Sequence, residues 1–223
     1  MWTQCLFSVS IALALMGQGT SSTLPLTGRV ETRARSGTAA AAAVVYAEPL
    51  DARPAIRAGT FTVAQKNKSF VPRVLGAPVG STITFPNADS IFHNVFSLSQ
   101  PQPFDLGLYR SGASETRTFS EPAAYHIFCN IHPQMVAFVV VAPTPWITTA
   151  AADGSWRLDV PAGRYRLSAL SERAALVSAD VTVRPAGTAA VVIPLDESTF
   201  STTSHLNKYG KPYPAAAYKD KRR

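Results

Sequence analysis

Short apolar runs rich in Val, Thr, Phe and Tyr recur along the chain: "GTFTVAQ", "GSTITFPN", "HNVFSLS", "ETRTFSEP", "AYHIFCN" and "MVAFVVV". Gly, Pro, Asn and Asp punctuate them, which is the signature of strands separated by tight turns. No 3.6-residue periodicity persists for long, so the pattern predicts an all-β chain, and the spacing favours sandwiches or barrels. Within "AYHIFCN", alternation puts Tyr125, Ile127 and Cys129 on one face and His126 and Phe128 on the other. Further on, Asp153-Gly154 is a hairpin-turn signal, after which Trp156, Leu158 and Val160 alternate along one strand. "PAGRYRLSAL" then begins another strand after a turn.

The N-terminus departs from this pattern. Residues 5 to 16, "CLFSVSIALALM", are an apolar run followed by the small, polar "GQGTSS". That reads as an export signal over residues 1–22, although "MWTQ" has no Lys or Arg; a mis-set start or a short anchor is the alternative. The run is shorter than the roughly 20 apolar residues a membrane span needs. A periplasmic or otherwise exported protein is expected, with no transmembrane segment after signal removal.

Composition changes the picture little, but charge does. The formal net charge is +7, yet residues 201–223 hold six Lys or Arg and one Asp, leaving the rest near neutral. The basic tail, residues 199–223, is expected to be extended or partly disordered; it reads first as a solvated C-terminus and second as a contact for an acidic partner or an anionic membrane surface. The body has no basic patch with interleaved aromatics, so no nucleic acid is expected as a partner.

The chemistry concentrates in "YHIFCNIHPQMVAFVVV", which brings Cys129, His132 and Met135 together between two strand-like runs. The only other cysteine, Cys5, lies in the signal, so Cys129 would be an unpaired thiol in an oxidising compartment unless something occupies it. Thiolate, thioether and imidazole suit copper, and a trigonal His2Cys set with a long axial Met is the blue-copper arrangement. Such a site needs a second histidine. His126 points away from the thiol and is expected at the surface. His205 falls in the tail, with no fixed geometry to offer. His93, where one strand ends in a turn and the next begins, is the best candidate. A zinc site, or a chance run in a metal-free sandwich, are the alternatives; zinc rarely accepts a thioether, and structural zinc sites need four ligands.

"FPNADSIFHNVFS", followed by "FCNIHPQM", resembles the cupredoxins, small blue copper proteins of the plastocyanin and amicyanin type. The Cys-x2-His-x2-Met spacing is similar to the shortest ligand loop of that family, and "FDLGLYRSG" resembles the methylamine-utilisation or plastocyanin-like subgroup. The resemblance implies one mononuclear copper ion, cycling between Cu(I) and Cu(II). It implies His93, Cys129 and His132 as equatorial ligands, Met135 as the axial one, and Asn94 as a brace of the ligand loop. Asn130 stands where the family often has Ser or Thr. His132 lies on a turn flanked by the apolar Ile131 and Pro133, a small patch suited to docking, and the resemblance implies that electrons leave at this ligand-loop histidine; Phe128, on the outer face beside Cys129, is the next place to look.

Residues 153–195 resemble the carboxypeptidase regulatory-like, or transthyretin-like, sandwich, and "LTGRVETRARSGTAAAAAVVYAEP" looks like its opening strands. The expected organisation is a discontinuous small β-sandwich from residues 26–50 and 146–198, with a cupredoxin Greek-key sandwich or barrel inserted at 55–145. Two consecutive domains are the alternative.

No phosphate loop, Ser-His-Asp set or paired carboxylates are present, so no enzymatic activity is expected. The function expected is a single-electron carrier working with a redox partner protein of the cytochrome c or dehydrogenase type. The alternative is copper delivery, storage or resistance without a redox circuit.

Overall fold

The computed structural model describes residues 22–201 and 205–214. Residues 1–21 of the expected signal, and 202–204 and 215–223 of the expected tail, lie outside the described residues. All regular structure among the described residues is β, with no helix. In chain order the strands begin with β1 (Thr23–Arg33), β2 (Ala43–Pro49), β3 (Thr60–Thr62), β4 (Ala64–Lys66), β5 (Ser69–Val71) and β6 (Val74–Pro78). They continue with β7 (Thr82–Pro86), β8 (His93–Ser97), β9 (Phe104–Tyr109), β10 (Ser114–Thr118), β11 (Ala123–Phe128) and β12 (Val136–Ala142). The last are β13 (Ile147–Thr149), β14 (Ser155–Pro161), β15 (Gly163–Ser171), β16 (Val177–Val183) and β17 (Val191–Asp196).

Two sandwiches result. In the first, a sheet ordered β14-β1-β17 faces one ordered β13-β2-β15-β16. The alternation in β14 buries Trp156, Leu158 and Val160, which meet Leu26, Val45, Leu167, Ile193 and Leu195 in one core. Its turn is closed by Gly154, whose φ of 85° suits glycine and whose N–H donates to Ala151 O at 2.8 Å. A side chain there would collide with the Val30 carbonyl.

The second sandwich sets β10-β7-β3 against β6-β12-β11-β8-β9. Its core gathers Ile83, Phe85, Val95, Phe119, Tyr125, Ile127 and Val139, with Cys129 and Met135 among them. The chain makes β1 and β2 of the first sandwich before the whole of the second, then returns for β13–β17.

The strand between the two cores is β12. "VAFVVVA" is a continuous apolar run rather than an alternating one, as expected of a strand buried on both faces. Ala137, Val139 and Val141 face the second core, whereas Phe138 and Val140 pack with Val44 and Val74 in a cluster joined by Ile147 and Leu170. The sheet holding the ligand loop is therefore backed by the other sandwich.

Candidate metal centre

The site is built from a turn and a loop at one end of the second sandwich. Asn87 is buried and organises the turn before β8. Its side-chain oxygen accepts from Asp89 N at 3.0 Å, an Asx turn, while its Nδ2 donates to Ile91 O at 2.8 Å. The turn delivers His93 at the start of β8. The other candidate residues lie just past β11, where Cys129 N donates to Met135 O at 3.3 Å and Met135 N donates to His132 O at 2.9 Å. These two bonds fold the seven residues from Cys129 to Met135 back on themselves.

His93, Cys129 and His132 converge. Their Nδ1 atoms stand 3.1 Å apart, and the Cys129 Sγ lies 3.8 Å from His93 Nδ1 and 3.7 Å from His132 Nδ1. One ion held about 2.0 Å from imidazole nitrogen and about 2.3 Å from thiolate requires donor separations of roughly 3–4 Å. The three residues therefore form a group able to hold a metal ion. Met135 is fully buried and belongs to the same core cluster as Cys129.

The electrostatics suit a ligand set. Burial pushes the Cys129 thiol up, while backbone N–H groups of Asn94, Ile131 and His132 pull the other way. Those N–H groups are aimed where a thiolate, the metal-binding form, would carry its charge. Burial, then the neighbouring His93 and Lys68, push His132 down, favouring the neutral imidazole that ligates.

Asp89, which sequence reasoning missed, completes the arrangement. Its Oδ2 lies 2.8 Å from His93 Nε2, so a proton held there leaves Nδ1 with a lone pair facing Cys129 and His132. The same carboxylate accepts from Asn67 N and Lys68 N at 2.5 and 2.8 Å. Those two residues have φ of 55° and 52° and form the tip of the β4–β5 hairpin. Burial pushes Asp89 up, but these hydrogen bonds outweigh it and hold the carboxyl below its usual range. The available signal was an acid four residues before a histidine in an Asn-x-Asp turn.

Asn94 and Asn130 face each other: Asn130 N donates to Asn94 Oδ1 at 3.2 Å, and Asn94 Nδ2 donates to Asp105 Oδ1 at 2.7 Å. A register shift between Asn94 and Phe96 in the β8–β9 ladder marks a bulge beside the site.

The docking patch differs from expectation. Ile131 is 46% exposed, but Pro133 is buried and offers no surface. Phe128 is covered by His205, whose ring stacks on it at 3.8 Å between centroids. His205 was expected to have no fixed geometry; besides the stacking, its Nε2 lies 2.7 Å from Pro133 O. His126, expected at the surface, is half-buried, stacked on Phe128 and tilted against Phe138. The exposed apolar residues that do flank the ligands are Ile91 and Phe92, just before His93, and Ile131, just before His132. His93 is fully buried and His132 only half-buried, so His132 is the member of the group nearest water.

Among solved structures, the chain is similar to a copper-containing nitrite reductase from Thermus scotoductus, at 29% identity and a TM-score of 0.37, over 43% of this chain and 25% of that one. It is also similar to a purple cupredoxin from Nitrosopumilus maritimus, at 27% identity and a TM-score of 0.34, over 36% and 98% of the two chains. A mutant amicyanin in the Cu(I) form shares 23% identity at a TM-score of 0.35, over 37% and 82%. The chain thus spans about a quarter of the nitrite reductase's length. No protein-family model and no curated protein matches the chain.

Proposed function

We propose that this chain is an exported mononuclear copper protein of the cupredoxin kind that carries single electrons and has no enzymatic reaction of its own. The observation that carries this is the preformed set of His93 Nδ1, Cys129 Sγ and His132 Nδ1 at 3.1–3.8 Å separations. A thiolate, two imidazoles and a nearby buried thioether are a donor set for copper rather than zinc. Bound there, copper would supply a one-electron couple. The protein holds two of the three donors fully buried, excludes water from them, and sets one at the start of β8 and the other just past the end of β11. A site so enclosed favours retention over the exchange that delivery or storage would need. The half-buried edge of His132, with exposed Ile131 just before it and exposed Phe92 just before His93, is the docking surface for a redox partner protein of the cytochrome c or dehydrogenase type. A small exposed patch suits the brief contact of such partners. In this reading the first sandwich is a carboxypeptidase regulatory-like module that backs β12.

The test is the visible spectrum after copper addition to the purified protein. The expected result is a strong band from Cys129 thiolate-to-copper charge transfer, lost in Cys129→Ala. A colourless copper-loaded protein, with Cys129 still reactive to thiol reagents, would sink the assignment.

A further inference from the structure

The C-terminal segment 205–214 lies against the ligand loop, and its contacts close a ring. Asn130 N donates to Asn94 Oδ1 at 3.2 Å, and Asn94 Nδ2 donates to Asp105 Oδ1 at 2.7 Å. Lys208 Nζ donates to the other oxygen of Asp105 at 2.7 Å, and Lys208 N donates to Asn130 Oδ1 at 3.1 Å. Asn94 follows His93 and Asn130 follows Cys129, so the ring joins the residues next to two ligands on two different elements. The ladder between β8 and β11 registers the pair Phe128–Phe96, just before Cys129, and the ring continues the tie beyond that pair. His205 adds a second hold on the loop, stacking on Phe128 and bonding Pro133 O. Tyr213 packs edge-on against His205 at 5.3 Å and approaches Asn130 Oδ1 at 3.5 Å.

We propose that residues 205–214 are a strap that positions the metal ligands, with Lys208 and His205 as its positioning residues. The strap's role at copper rests on the reading above; its hold on the loop does not. An exposed Lys–Asp pair stabilises a fold little by itself. Here its effect is geometric: Lys208 spans Asp105 and Asn130, so the two sides of the donor set move as one unit. Outer hydrogen bonds of this kind orient ligands, and losing them typically costs about 10–100-fold in metal affinity.

The test compares the full chain with one ending at residue 204, with Lys208→Ala, and with Lys208→Arg. In metal-free protein, amide exchange at Asn130 is expected to quicken about tenfold on truncation, because local opening becomes easier. In copper-loaded protein, competition with a chelator should show affinity falling about tenfold, with the charge-transfer band shifted. Lys208→Ala should do the same in smaller measure, and Lys208→Arg should restore both. The strap is overturned if neither truncation nor Lys208→Ala changes Asn130 exchange, affinity or the band. A lower melting temperature with those three unchanged overturns it equally. If the truncated chain does not fold, Lys208→Ala against Lys208→Arg decides. If the full chain takes up no copper, the copper reading fails, and exchange in metal-free protein still decides the strap.

Discussion

At the scale of the residue, the candidate site is shaped by groups beside His93, Cys129 and His132 as much as by those three. Asp89 ties His93 Nε2 to the tip of the β4–β5 hairpin, so one carboxylate orients a ligand and anchors a turn. Asp89→Ala is expected to leave the fold intact while lowering copper affinity about 10–100-fold, read by competition with a chelator. Unchanged affinity would mean that packing alone orients the ring. The docking surface is tested by Phe92→Lys and Ile131→Lys, which should leave the copper spectrum nearly intact and slow bimolecular electron transfer severalfold, followed by stopped flow. Equal rates would place the exit elsewhere. Pro133→Glu is unsuited to this test, because Pro133 is buried and the change would force a carboxylate into the loop's packing.

At the scale of the element, β1 is the strand on which the first sandwich turns. It runs antiparallel to β14 and parallel to β17, so it is the centre of its sheet. Gly28 sits opposite both Trp156 and Val191, and a Cβ there would strike the Val191 carbonyl and the Trp156 ring. Backbone cannot give way as a flexible side chain does. Gly28→Ala should therefore destabilise the protein by about 1–3 kcal/mol or more, measured by urea unfolding. A midpoint equal to the parent's would mean that β1 and β17 separate easily. In the same way β12 explains its own composition: a strand between two cores has no polar face to spare.

At the scale of the whole molecule, the C-terminus has two separable parts. The segment 205–214 holds the ligand loop, and residues 215–223 carry four Lys or Arg and one Asp. Ending the chain after Pro214 removes four of the tail's six Lys or Arg and keeps the strap. Against an acidic redox partner, this form should transfer electrons more slowly at low ionic strength and converge with the full chain at high salt, since screening cancels steering. Rates equal at every salt concentration would leave the terminal charges without a role in encounter.

Features carried by neighbours in sequence were legible without a structure. The alternation of "YHIFC" puts Tyr125, Ile127 and Cys129 in one core, because a strand's side-chain period is two whatever it packs against. The Cys-x2-His-x2-Met run placed its residues on one short loop for the same local reason, and the Asp-Gly turn before β14 followed from backbone sterics. What depends on distant chain was decided only by the tertiary structure. The Asn-x-Asp turn before His93 signals Asp89, but nothing near it says that the same carboxylate would also anchor the tip of the β4–β5 hairpin, over 20 positions away. Nothing near Pro133 says that its carbonyl would meet His205, 72 positions away. A polar, basic stretch reads as a solvated tail because its own composition buries little. It becomes a strap only because Asp105 on one side, and Phe128 and Asn130 on the other, together present the charge, the ring and the amide that Lys208 and His205 fit.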